Sequence, residues 1–307
     1  MTRSDGLCAR CGVSSHLLFA RALVLVASGL TGSFYVIWGA AMGNAVSRGV
    51  AIVTGAGRGF GKAIAMRLAR EGFSVALTAR SEAQLAEVAT EINDAGGRAV
   101  ALVGDVTDRA AVTRVVGEVE RQLGAITLLV NNAGVPGPFG PLWAIDPDEW
   151  WASQAVHIRA PLLFLRAVLP AMTERRSGRV IIVSAKASRL VAPNLSAYCV
   201  GKIAQTRLVE EVAVETRDLG VAAFAIDPGF VFTELAAQTM NSPDAQRWLP
   251  GMVARVREKR DDPNAAADLA SCAQRCFDLA SGRYDRLSGR YFEMSDDLDQ
   301  LLRGLPQ

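Results

Sequence analysis

The feature that most constrains this chain is a glycine-rich segment set between two different hydrophobic patterns. Residues 50–54 form a short unbroken apolar run. Across residues 62–71 apolar side chains recur at helical spacing, with Ile64 and Leu68 on one side. Between them lies Thr54-Gly55-Ala56-Gly57-Arg58-Gly59-Phe60-Gly61. Glycines let backbone N–H groups approach a pyrophosphate at the positive end of the following helix. The alternation then repeats. Residues 74–78, 99–103, 126–130, 179–184 and 221–226 read as strands, and 82–94, 108–123, 148–173 and 196–219 as helices. Strands that are apolar without alternation are buried on both faces, so the pattern predicts an α/β fold, a doubly wound parallel sheet with helices on both faces.

Composition narrows the class. Half of the 307 residues are hydrophobic, which supplies a sizeable core and excludes global disorder. Thirty-three basic against 31 acidic residues give a net charge of +2, without the basic excess of a nucleic-acid-binding surface. Five cysteines, an odd number, do not form a disulfide framework, so a reducing, cytoplasmic compartment is expected. Residues 1–46 read differently from the rest. Residues 22–46 hold no Asp, Glu, Lys or Arg, and Arg3, Arg10 and Arg21 precede them. A start at Met42 or a disordered tail is preferred, a membrane anchor through residues 22–46 comes second, and a cleaved signal third. Residues 47–307 read as a single dinucleotide-binding and catalytic domain, with a helical flap at about 232–263.

Further motifs follow in order. Asn131-Asn132-Ala133-Gly134 closes the fourth strand, Tyr198-Cys199-Val200-Gly201-Lys202 has the form Y-x-x-x-K, and Asp227-Pro228-Gly229 precedes Thr233. With the T-G-x-x-x-G-x-G spacing of residues 54–61, they resemble the classical short-chain dehydrogenase/reductase family, closely over residues 48–235 and loosely beyond. The resemblance implies a Rossmann-type sheet, a nicotinamide cofactor, and a carbonyl or alcohol substrate. It also implies a homodimer or homotetramer built on the two long helices.

Charge bears on the cofactor. An NAD site places an acid about 20 residues beyond the glycines. Here the second strand ends Leu77-Thr78-Ala79-Arg80, with no acid. Arg58 and Arg80 can instead pair with a 2′-phosphate, which favours NADP(H) over NAD(H). The resemblance puts Asp105 and Val106 at the adenine and Asn131, Asn132, Ala133 and Gly134 near the ribose and nicotinamide. The resemblance also assigns Thr54, Gly55, Gly57, Gly59, Phe60 and Gly61, together with Pro228, Gly229, Val231 and Thr233, to the cofactor site.

Tyr198 and Lys202 are four apart and share one helix face. A nearby ammonium and a positive nicotinamide lower a phenol pKa from about 10, so Tyr198 serves as general acid in carbonyl reduction or base in alcohol oxidation. Lys202 would also hold the nicotinamide ribose. Two positions depart from the family pattern. Thirteen residues before the tyrosine, where the family usually has a serine, stands Ala185; Ser184 or Ser188 would have to stand in. His157 occupies the place of an asparagine that organises a proton-relay water, a task its ring nitrogens can take over. Losing one donor to a developing oxyanion costs about 3–4 kcal/mol, or 10²–10³ in rate. A slow reductase is therefore the first reading, and an NADP(H)-binding sensor or scaffold with little turnover is the alternative. No metal site is expected: Cys8 and Cys11 lack a second pair, Cys272 and Cys276 read as buried apolar groups, and Asp296, Asp297 and Asp299 as a solvated tail. Phe232, Leu235, Met240, Trp248, Leu249 and Met252 in the flap point to a partly apolar substrate.

Overall fold

The computed structural model describes residues 48–306. The expectations for residues 1–46, anchor and cysteine pair included, lie outside the described residues. Among the described residues seven parallel strands form one sheet in the order β3-β2-β1-β4-β5-β6-β7. They are β1 (Gly49–Thr54), β2 (Phe73–Ala79), β3 (Arg98–Val103), β4 (Ile126–Asn131), β5 (Gly178–Val183), β6 (Val221–Ile226) and β7 (Tyr291–Phe292). The order reverses between β1 and β4, and the crevice at such a switch point is where open α/β sheets bind ligands.

Helices cover both faces, as the unbroken apolar strands require. On one face α1 (Gly59–Arg70), α2 (Glu82–Asp94) and α10 (Ala265–Ala280) bury Ile64, Leu68, Leu85, Cys272, Cys276 and Leu279 against the sheet. On the other, α3 (Arg109–Leu123), α5 (Ala160–Glu174) and α6 (Ser196–Glu215) bury Val115, Phe164, Met172, Val209 and Val212. The flap forms three short helices, α7 (Glu234–Asn241), α8 (Pro243–Trp248) and α9 (Pro250–Glu258). The chain closes with α11 (Leu298–Arg303), which Asp297 caps through the N–H groups of Asp299 and Gln300, while Asp299 accepts from the Tyr284 hydroxyl. These two aspartates therefore have structural partners.

One boundary differs in a way that matters. The expected helix over 148–173 is interrupted: α4 (Pro147–Gln154) passes through a π turn, Ala155–Arg159, into α5. Pro161 cannot donate an N–H to the preceding turn, and the widened turn accommodates that loss. The combined run, Pro147–Glu174, is long and apolar enough to cross a membrane, yet Phe164, Leu165, Val168 and Met172 pack it on the sheet as a core helix.

Candidate active site

The glycine turn is built without room for side chains. A Cβ at Gly61 would stand 2.2 Å from the Gly55 carbonyl oxygen, and Gly55 and Gly59 adopt φ of +64° and +55°. Thr54 and Asn132 lock the turn to the end of β4. The Thr54 Oγ1 accepts from the N–H groups of Asn132 (2.9 Å) and Ala133 (3.0 Å), and the Asn132 amide donates to the Thr54 and Gly55 carbonyls. Asn132 is thus occupied in shaping the loop. The side chains of Asp108 and Asp146 cap α3 and α4, whereas α1 begins at Arg58 with no side-chain cap. Its first N–H groups are left for an anionic ligand, so the residues present fit a dinucleotide pyrophosphate.

Thr233 lies beside Gly59, 3.4 Å from where a Cβ would be, and begins α7. Gly229 takes φ +85° and donates its N–H to the Asp227 carboxylate at 3.3 Å. Val231 is buried. Arg58 and Arg80 are exposed, and Arg58 sits 4.0 Å from Glu234, itself half exposed. Asp105 accepts from the Thr107 N–H and hydroxyl, which holds its carboxyl below the usual range. Val106 packs against the sheet, and Phe60 against the opposite cluster.

Helix α6 carries the candidate chemistry. Tyr198 is partly buried, and Lys202 lies beneath it with Nζ 5.5 Å from the tyrosine ring centroid. The Lys202 ammonium donates to the Val183 carbonyl (2.9 Å) and to Gln205 Oε1 (3.1 Å). Burial brings its pKa down to about 7, against the opposing pull of Asp227. Desolvation also pushes the Tyr198 phenol up, and the Asp227 carboxylate adds to the rise. Every one of these influences disfavours the phenolate, so, against the expected lowering by Lys202, the chain by itself keeps Tyr198 protonated.

His157 stands edge-on to Tyr198, ring centroids 5.5 Å apart. Its Nε2 pairs with the Val135 carbonyl at 2.9 Å, which assigns the proton to Nε2, and Nδ1 has no partner among the described residues. Burial first, then the Lys202 charge, lowers its pKa to about 3, so the ring is neutral. Ser184 and Ser188, the two candidates for the place of the absent serine, flank Ala185. Ser184 is buried and its hydroxyl donates to the Lys202 carbonyl. Ser188 is buried as well, in the turn Lys186–Arg189. Ala185 thus leaves that position without a hydroxyl.

Sequence reasoning passed over Gln205, although Tyr198, Lys202 and Gln205 follow the i, i+4, i+7 spacing of one helix stripe. It also treated Asp227 only as part of a motif, whereas its charge reaches both Tyr198 and Lys202. Above the tyrosine the flap encloses an apolar cluster of Phe139, Leu195, Ala245 and Val253, with Met240, Leu249 and Met252 packed on it. Asn194 fastens the flap by donating to the Trp248 carbonyl at 3.0 Å. Among the described residues no group of acidic, histidine or cysteine side chains is arranged to hold a metal.

Residues 49–244 match the family model described as short chain dehydrogenase. A short chain dehydrogenase of Pseudocercospora fijiensis is 37% identical over 256 residues, covering 82% of each chain. One from Monascus purpureus is 34% identical over 81% of this chain and 82% of its own. Among solved structures, a gluconate 5-dehydrogenase from Burkholderia cenocepacia in complex with NADP and tartrate superposes with a TM-score of 0.69. It is 29% identical, over 81% of this chain and 94% of that one. An NAD+-bound xylitol dehydrogenase gives 0.70 at 26% identity, over 80% and 97%.

Proposed function

Since the chain belongs to the short chain dehydrogenase family and is an oxidoreductase acting on CH–OH and C=O groups, we propose that it is an NADP(H)-dependent carbonyl reductase with Tyr198 as its general acid. The observation that carries the reading is the pairing of Tyr198 with Lys202, whose ammonium lies 5.5 Å from the tyrosine ring centroid. The nicotinamide, when bound, supplies the hydride. Its pyrophosphate would rest on the glycine turn and the start of α1, and Asn131, Ala133, Gly134, Pro228 and Gly229 would border the rest. Lys202 has one N–H beyond those given to Val183 and Gln205, and that proton would hold the nicotinamide ribose.

The tyrosine hydroxyl donates its proton to the carbonyl oxygen as that oxygen gains charge. Burial and Asp227 both favour the protonated phenol, which suits reduction at neutral pH over alcohol oxidation. Preference for the 2′-phosphorylated cofactor follows from Arg58 and Arg80 together with the lack of an acid after β2. The Arg58–Glu234 pair is exposed and worth at most about 1 kcal/mol, so a phosphate displaces it. The flap cluster favours a partly apolar aldehyde or ketone. Exposed Leu162 on α5 and Val200, Ile203 and Val214 on α6 give a homodimer or homotetramer an apolar face. A cytoplasmic location goes with this reading, with anchorage through residues 22–46 as the alternative.

One observation favours a second reading, an NADP(H)-binding protein with little turnover: Ala185 provides no hydroxyl and Ser184 is engaged elsewhere. NADPH oxidation against a panel of aldehydes, ketones, diketones and quinones separates the two. Turnover that is lost in Tyr198→Phe supports the reductase; NADPH binding without turnover supports the sensor.

A further inference from the structure

Gln205 is buried to 1% exposure in α6, and both ends of its amide are engaged. Its Oε1 accepts from the Lys202 ammonium at 3.1 Å, and its Nε2 donates to the His157 carbonyl at 3.0 Å. That carbonyl lies in the π turn, and the residue four places on, Pro161, has no N–H to offer it. The amide thus gives the His157 carbonyl a donor in place of the one missing at the i+4 position and, at its other end, holds a charged donor. An ammonium has three N–H groups in a staggered fan. Val183 and Gln205 fix two of them, and this determines where the third points.

We propose that Gln205 is a positioning residue for Lys202: its side-chain carbonyl retains the proton on the lysine and aims the remaining N–H toward Tyr198 and the cofactor side. This role rests on Tyr198 and Lys202 being the reductase pair. The titratable groups around the ammonium are Tyr198 on its own helix, His157 on the π turn and Asp227 after β6. Of these, His157 is neutral, so the acceptors that favour the charged lysine are the Val183 and Gln205 carbonyls, assisted by Asp227 at longer range.

The chain has four lysines, Lys62, Lys186, Lys202 and Lys259, so each lysine ε-carbon can be followed by NMR of the full protein, with Lys202→Arg to assign the signal. Gln205→Met keeps the length and removes the acceptor; Gln205→Glu keeps the size and places a carboxylate on Lys202. The wild-type Lys202 signal is expected to titrate near pH 7. In Gln205→Met the midpoint falls by about one pH unit, the worth of a hydrogen bond to a charged group. In Gln205→Glu it rises above the wild-type value, and this near-isosteric variant carries the test should the methionine variant fail to fold. The alkaline limb of kcat moves with the lysine midpoint in each case. Wild-type midpoints in both variants would overturn the proposal, since a residue that merely fills space leaves the titration unmoved. The titration needs neither cofactor nor turnover, so it can fail while NADPH reduction stands, and NADPH reduction can fail while it stands.

Discussion

Gly201 of α6 packs so closely on His157 that a Cβ at position 201 would stand 2.6 Å from the histidine Cβ. This contact sets the height of α6 against the π turn. It also brings the His157 ring edge-on to Tyr198 and its carbonyl to Gln205. Gly201→Ala forces the two elements apart. The expected cost is about 1–3 kcal/mol of stability, measured by urea unfolding, with a drop in kcat larger than any change in NADPH affinity.

Ala185 lies in extended backbone, φ −169° and ψ 163°, a conformation open to any residue. Ala185→Ser should therefore fold as the wild type does. If the reductase reading holds, the added hydroxyl raises kcat by about 10- to 100-fold, somewhat less than the full loss seen when an oxyanion donor is removed. An unchanged kcat in steady-state assays would mean that another group already serves the substrate oxygen.

Cofactor choice can be reversed at one position. Arg80→Asp replaces a partner of a 2′-phosphate by a carboxylate that repels it and can bond to a ribose hydroxyl. The KM for NADPH should rise by about 10- to 100-fold and that for NADH should fall or hold. Equal effects on both cofactors would remove the basis for the NADP(H) assignment.

His157 makes the fold acid-sensitive. Its pKa is about 3 in the folded chain against 6.5 ordinarily, so between those values the unfolded chain binds a proton that the folded one refuses. Stability then falls as pH drops from 6.5 toward 3, by a total on the order of 4 kcal/mol from this group. His157→Asn has no such proton to bind. Urea midpoints at pH 5 and pH 7.5 should differ less in the variant than in the wild type.

Much of the molecule was legible from one dimension. Unbroken apolar runs specify strands buried on both faces, and the six runs read from the chain correspond to β1–β6 to within a residue or two at each end. The short β7 is two residues long and carries little periodic signal. Glycines at 55 and 59 take positive φ, and Gly61 stands where backbone passes close to the backbone of Gly55, requirements set largely within the turn and so written locally. The spacing of Tyr198 and Lys202 on one helix face is likewise a property of the helix alone.

What the sequence could not determine is which partner each polar group would find. Ser184 was a candidate for the empty place at Ala185 until the fold turned its hydroxyl to the Lys202 carbonyl, 18 residues away. His157 could have faced a solvent chain, but its ring reaches Val135 and its carbonyl reaches Gln205, 48 residues on. The sequence by itself determined the doubly wound sheet, the glycine turn and the tyrosine–lysine stripe, because those follow from chain periodicity and steric limits between near neighbours. Only the tertiary structure decided the interruption at the π turn, the burial that shifts the titrations of His157, Tyr198 and Lys202, and the hydrogen bonds of Gln205. Those depend on burial and on hydrogen bonds between segments far apart in the chain, whose meeting is fixed by packing.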